Sequence, residues 1–222
     1  MELSIDTASE IASVALSREG GLQAEVSWRC RRNHTVELLA TIDRLLAQVG
    51  ATKEDLAAVF VCTGPGMYTG LRVGVSTAQG LAYALRLPVV GIGRLELDAY
   101  QHAAFPGRIV AVHRAGRGEL AWAAYRSRPW RQVTRPRLDW PAEVVRRARG
   151  RTLFCGEVDD ELAKAIGDAL GNRAVIASAA ASVRRAAFLA ERGYQRLAAG
   201  DGQDAAALRV LYLRPPVIGG KR

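Results

Sequence analysis

The spacing of apolar positions switches between two periods along the chain, and the switches mark out its elements. Leu3-Ser4-Ile5-Asp6, residues 11–16 and residues 22–26 are short runs bounded by turn residues, with Glu19-Gly20-Gly21 between the last two. They predict three strands close enough to pair as an antiparallel meander. Val36, Leu39, Ile42, Leu45 and Leu46 then recur at three- and four-residue spacing, and Gly50 follows. That pattern predicts a helix and its stop. Thr52 and Asp55 have the spacing of a capping box for a short turn. Val59-Phe60-Val61-Cys62 is continuously apolar, as in a strand covered on both faces. A helix through Val73, Ala78, Leu81 and Leu85 comes next, then a strand at 89–92 and a helix over 95–104.

The same order recurs downstream. Residues 109–112, 120–125 and 132–134 predict a second meander, and Pro141 sits at the first turn of a helix over 141–148. A strand at 152–155, a helix at 161–170, a strand at 174–176 and a long helix over 182–199 complete it. Internal repetition of β-β-β-α-β-α-β-α is a fold-level signal. Three antiparallel strands continued by βα units is the ribonuclease-H-like layout. Two copies in tandem predict an α/β, actin-like protein, each lobe a mixed five-stranded sheet flanked by helices. The expected division is an N-terminal lobe over 1–104 and a smaller C-terminal lobe over 105–207. The tail, 208–222, is a candidate to fold back on the first lobe.

Composition narrows the picture. The chain has 222 residues and is 49% hydrophobic, enough for two small cores. No apolar run approaches the roughly 20 residues of a membrane span, and the opening residues lack the basic-then-apolar order of a secretory signal. A cytoplasmic protein with no membrane partner is expected. Cys30, Cys62 and Cys155 are odd in number and far apart, which suits buried thiols better than disulfides or a zinc site. The net charge of +9 is uneven: residues 1–107 hold 9 Lys+Arg against 11 Asp+Glu, and residues 108–222 hold 22 against 11. Nearly all the basic residues are arginine, a bidentate partner for phosphate. The second half therefore points either to a polyanion such as RNA or to a solvated, arginine-rich surface.

The sharpest local feature is Gly64-Pro65-Gly66-Met67-Tyr68-Thr69-Gly70-Leu71-Arg72-Val73-Gly74. It leaves a buried strand and enters a helix, where free N–H groups and the helix dipole attract anions. It is no Walker loop, having no Gly-Lys-Ser/Thr, and no acidic residue matches it to the dinucleotide fingerprint. A tight turn whose glycines (Gly64, Gly66, Gly70 and Gly74) permit close packing remains an equal reading.

With its extension Ser76-Thr77-Ala78-Gln79-Gly80-Leu81-Ala82, this segment resembles the hallmark of the TsaB family. Asp6-Thr7 after the first strand, His34-Thr35-Val36-Glu37-Leu38-Leu39, Pro88-Val89-Val90-Gly91 and Tyr212-Leu213-Arg214 resemble its other motifs in the same order. The resemblance is dense over residues 1–100, patchy over 101–200 and returns at the tail. It implies a non-catalytic partner subunit in making N6-threonylcarbamoyladenosine beside the anticodon of tRNAs that read A-starting codons. The implied partners are the catalytic paralogue TsaD, the ATPase TsaE and tRNA through the complex, with a homodimer when isolated. ATP and metal would then belong to the partner subunits, with no cofactor on this one. The implied partner face, on the helices after His34 and Gly70, comprises His34, Leu38, Leu39, Ile42, Tyr68, Arg72 and Val75.

Other residues bear on catalysis. Two histidines four apart share a helix face and can hold a metal, but Leu38 stands four positions after His34. Asp6, with Thr7 and Ser9, is placed where actin-like ATPases hold phosphates and metal; alternatively, it caps a turn. The resemblance puts an aspartate at the matching place of the second lobe, where this chain has Arg114. An arginine neither binds magnesium nor acts as a base, so a vestigial nucleotide cleft is expected there. Residues 126–151 carry nine arginines against Asp139 and Glu143, interleaved with Trp130 and Trp140. Arg128, Arg131, Arg135, Arg137, Arg146 and Arg147 are candidate RNA contacts, or else a solvated face. The rival readings are an actin-fold ATPase or kinase using Asp6, and a metalloprotease, which needs ligands this chain lacks.

Overall fold

The computed structural model describes residues 1–30 and 34–214. The first half runs β1 (Glu2–Asp6), β2 (Ile11–Arg18), β3 (Gly21–Arg29), α1 (His34–Gln48), β4 (Ala58–Gly64), α2 (Tyr68–Leu85), β5 (Val89–Gly93) and α3 (Arg94–Tyr100). Its sheet has the order β3-β2-β1-β4-β5, antiparallel over the first three strands and parallel from β1 onward. The second half runs β6 (Arg108–Arg114), β7 (Leu120–Ser127), β8 (Trp130–Asp139), α4 (Pro141–Arg146), β9 (Thr152–Gly156), α5 (Asp160–Leu170), β10 (Ala174–Ile176) and α6 (Ala186–Ala198). Its sheet, β10-β9-β6-β7-β8, repeats the first. The duplicated α/β fold expected from the sequence is the one found.

β1 and β4 are buried at every residue because helices cover both faces of their sheet, hence their continuous apolar runs. β8 is an edge strand that exposes arginines and stays partly open along its length. Its apolar pattern is therefore weak, and it is ten residues long where the sequence suggested three. The capping box is present: Thr52 N donates to Asp55 Oδ2 at 2.8 Å. All three cysteines are free and buried.

The helices do not respect the expected division. α6, expected on the second lobe, packs on the first sheet. Leu189 is buried with Phe60, Ile92 and Leu97, and Gly193 lies so close to the Phe60 ring that a Cβ there would overlap it. Conversely, α3 places Leu95 and Ala99 in one cluster with Ile109, Ala111, Tyr125 and Cys155 of the second sheet. The boundary near residue 104 thus separates the sheets but not the helices that cover them. α6 also starts at Ala186, later than the periodicity suggested, because residues 183–185 stay non-helical where Arg184 reaches the first lobe.

The tail folds back over residues 208–214. Leu208 is buried in the first core. Gln79 Nε2 donates to the carbonyls of Ala205 and Leu208 at 3.1 and 3.3 Å, and Leu211 N donates to Thr63 O at 2.9 Å. Arg214 then pairs with Glu119 of the second lobe. Residues 215–222 of the expected tail lie outside the described residues.

Candidate functional site

The 64–74 loop closes on the β1–β2 turn. Met67 N donates to Ala8 O at 2.9 Å, and Thr7 Oγ1 donates to Gly70 O at 2.7 Å. A Cβ at Gly66 would overlap Ala8 O, and one at Gly74 would overlap Thr7 Oγ1. The glycines thus let the first turn of α2 press against β1, a packing role. Gly64 has φ +101°, a backbone conformation that side chains disfavour. Pro65 beside it is buried.

Asp6, only 2% exposed, ends β1 beneath this loop. Its Oδ1 accepts from Ala8 N at 2.9 Å, and its Oδ2 accepts from Arg184 Nε at 2.7 Å. Arg184 comes from the segment before α6; its Nη2 donates to Ser9 Oγ at 2.9 Å, and its Nη1 stands 3.4 Å from Asp98 Oδ1. Asp98, fully buried on α3, lies 3.4 Å from Arg94 Nε one turn earlier. Arg94 Nη2 donates to Glu157 Oε1 at 2.6 Å. Glu157 Oε2 accepts from Arg114 N at 2.9 Å, and His113 Nδ1 sits 2.9 Å from that oxygen and 2.8 Å from Arg94 Nη1. One alternating chain of charges therefore joins the ends of β1, β6 and β9 through α3 and the approach to α6.

Its electrostatics follow from burial and alternation. Burial alone would raise the Asp6 carboxyl, but the charge and hydrogen bond of Arg184 outweigh it and hold Asp6 below the usual carboxylate range. Glu157 likewise resists its burial, held low by the His113 hydrogen bond and the Arg94 charge. Arg184 is buried, which would lower it, yet Asp6 and Asp98 raise it above an ordinary guanidinium. A recess of about 420 Å³ borders the network, lined in part by Ser9, Arg29, Met67, Arg94, His113 and Arg184.

These residues do not fit a metal–nucleotide pair. Both Asp6 oxygens already accept from the chain itself, and the guanidinium of Arg184 stands against the one a cation would need. Among the described residues, no group of three His, Cys, Asp or Glu could hold a metal ion. Arg114, expected beside Asp6 in a cleft, instead pairs with Asp159; that aspartate also caps α5 by accepting from Leu162 N at 2.9 Å. The sequence reading missed Arg94, Asp98, Glu157 and Arg184. Arg94 and Asp98, four apart within an apolar helix, were the one signal available.

The expected partner face divides. Leu38, Ile42 and Val75 are core residues of the first lobe, whereas Val36 and Leu39, two positions of the apolar period read from the sequence, are exposed. Leu39 and Tyr68 are 52% and 48% exposed. Arg72 lies over the Tyr68 ring at 4.3 Å, and Tyr212 of the tail packs on that ring at 5.9 Å. The His34 side chain lies outside the described residues. The expected RNA contacts divide too. Arg137 pairs with Asp139, and Arg146 and Arg147 pair with Glu143. Arg128, Arg131 and Arg135 are exposed and form no ion pair among the described residues. Trp130 stacks on Tyr125 at 5.2 Å, while Trp140 is exposed.

A family model described as TsaD, tRNA N6-adenosine threonylcarbamoyltransferase, matches residues 8–192. The tRNA threonylcarbamoyladenosine biosynthesis protein TsaB of Escherichia coli (strain K12) is 38% identical over 125 residues, 55% of this chain and 54% of that protein. A Pseudomonas aeruginosa crystal structure, of an uncharacterized protein with similarity to peptidase YeaZ, superposes with a TM-score of 0.80 at 26% identity. It covers 96% of this chain and 99% of its own. A ROK hexokinase from Thermus thermophilus, at 10% identity and TM-score 0.51, shares the fold alone. The TsaB protein of Bacillus subtilis (strain 168) is 31% identical over 203 residues, 89% of this chain and 88% of that protein. With a relative matched along nearly the whole of both chains, this chain belongs to the TsaB family.

Proposed function

We propose that this protein serves threonylcarbamoyladenosine synthesis in tRNA as a cytoplasmic, non-catalytic partner subunit. Its relatives' names support the pathway. The observation that carries the non-catalytic part is the Asp6–Arg184 pair: a tethered guanidinium stands where a catalytic cation would. A vestigial nucleotide cleft is the reading this favours over an ATPase or kinase using Asp6.

The partner is a TsaD-like paralogue that retains a two-histidine metal site, with a TsaE-like ATPase joining the pair. Leu39, Tyr68 and Arg72 form the surface that meets it, and the same surface pairs two copies of this chain when the paralogue is missing. Tyrosine and arginine are residue types enriched at interface hot spots, and Leu39 adds exposed apolar surface.

Affinity purification from the native cell tests this. Recovery of a two-histidine actin-like paralogue, lost on Leu39→Glu with Tyr68→Glu, is the expected result. Robust ATP hydrolysis by the isolated chain, abolished by Asp6→Asn, would favour the enzyme reading instead.

A further inference from the structure

We propose that a groove at the start of β6, lined by Arg108, Arg126, Arg128, Arg149 and Arg151, binds the phosphates of an RNA backbone. The groove encloses about 410 Å³, and no acidic side chain lines it. It lies at the opposite end of β6 from His113 and Arg114, roughly 20 Å away along the strand, so it is separate from the buried charge network.

Strand register builds it. Arg108 on β6 pairs with Arg126 on β7, and Arg126 pairs with Arg131 on β8. Like charges directly opposite on neighbouring strands destabilise a sheet, and this rank continues over three strands. None of the five groove arginines forms an ion pair among the described residues, whereas nearby Arg137, Arg146 and Arg147 each do. Arg108 is the innermost. Its Nη2 donates to Thr134 Oγ1 at 3.1 Å, but its Nε is buried without a hydrogen-bond partner. Burial, and the charges of Arg126 and Arg149, push its guanidinium below the usual value.

Two of the remaining arginines, Arg149 and Arg151, are already held in place. Arg149 Nη1 donates to the carbonyls of Arg146 and Ala148 at 2.6 and 3.1 Å. Arg151 lies over the Phe105 ring at 5.5 Å, and its carbonyl accepts from Arg108 N at 3.1 Å. The arrangement lacks only its counter-charge. Guanidinium forks match phosphate oxygens two at a time, and pre-ordered donors lower the entropy cost of binding. Four of the five arginines are exposed, and the rank runs on to the exposed, unpaired Arg131. An extended polyanion can meet several of these at once, whereas a lone phosphate cannot. That the polyanion is RNA rests on the proposed tRNA role; the anion site itself rests on the groove.

Fluorescence anisotropy of a labelled, unmodified tRNA transcript with the full chain, titrated against salt, provides the test. Arg126→Ala with Arg149→Ala and Arg151→Ala removes three groove charges. Arg137→Ala with Arg146→Ala and Arg147→Ala removes the same charge from paired positions. The groove variant is expected to bind at least about tenfold more weakly and to lose about two to three units from the slope of log K against log salt. The control variant stays within about twofold of the parent, and matching thermal melts show that both fold. Equal losses in the two variants, or an unchanged groove variant, would overturn the proposal. Displacement of the RNA by equimolar inorganic tripolyphosphate would overturn the RNA assignment, leaving a site for a free polyphosphate. Either failure leaves the partner reading intact, because that reading is judged by co-purification.

Discussion

Arg184 Nε donates to Asp6 Oδ2 at 2.7 Å across 178 positions of sequence. Both side chains are almost fully buried. The pair fastens the approach to α6 onto the end of β1, and through Asp98 and Arg94 it extends to the second sheet. It ties the two lobes together.

Removing the cation from this network strands the buried Asp6 carboxylate and leaves Asp98 with Arg94 alone. Arg184→Met is expected to destabilise the fold by about 3–5 kcal/mol, the range for breaking one side of a buried pair. Urea denaturation measures it. Adding Asp6→Asn to the same chain should recover part of the loss, since the stranded charge is then gone.

The same carboxylates set the acid response. Asp6 and Glu157 are held below their ordinary values. A carboxyl depressed on folding contributes stability that is present above its unfolded value, near pH 4, and lost as pH falls toward the folded value. Stability measured by urea between pH 7 and pH 3 should therefore drop below about pH 5. Glu157→Gln should flatten that drop; an unchanged acid slope would count against the ionised network.

Two glycines of α2 separate packing from propensity. Gly74→Ala drives a methyl group into Thr7 Oγ1 and should cost about 1–3 kcal/mol as overpacking. Gly80 has no neighbour within 4 Å of its added Cβ, so Gly80→Ala should stabilise α2 by up to about 1 kcal/mol. Thermal melts of the two variants should move in opposite directions.

Leu38 and Leu39 are neighbours with opposite fates. Leu38→Ala opens the first core and should cost about 2–5 kcal/mol. Leu39→Glu should leave the melting temperature nearly unchanged while weakening association with the paralogue or with a second copy. If Leu39→Glu unfolds the protein, the residue belongs to the core and not to a partner face.

Gly193 tests the docking of α6. Gly193→Ala collides with Phe60, so it should raise susceptibility to proteolysis in the approach to α6. Phe60→Leu in the same chain should relieve part of that effect if the contact is the cause.

The sequence by itself determined the elements, their duplicated order and the family resemblance, because these depend on local period and motif. Continuous apolar runs marked β1 and β4, and three- and four-residue spacing marked α1 and α2. The 64–74 loop was legible as a rigid strand-to-helix turn. Which face of each helix stayed open was not, since Leu38 and Leu39 are equally apolar and only packing tells them apart.

Tertiary structure alone decided the rest. Nothing local in the chain could announce that α6 would cover the first sheet, or that an arginine near its start would neutralise the aspartate that ends β1. Such pairings join segments far apart in sequence, and burial selects them: a carboxylate taken out of water requires a cation within reach, whichever part of the chain supplies it. The groove arginines were visible as a basic composition. Strand register set Arg108, Arg126 and Arg131 side by side without an acid, whereas Arg137, Arg146 and Arg147 pair with carboxylates two to four positions away.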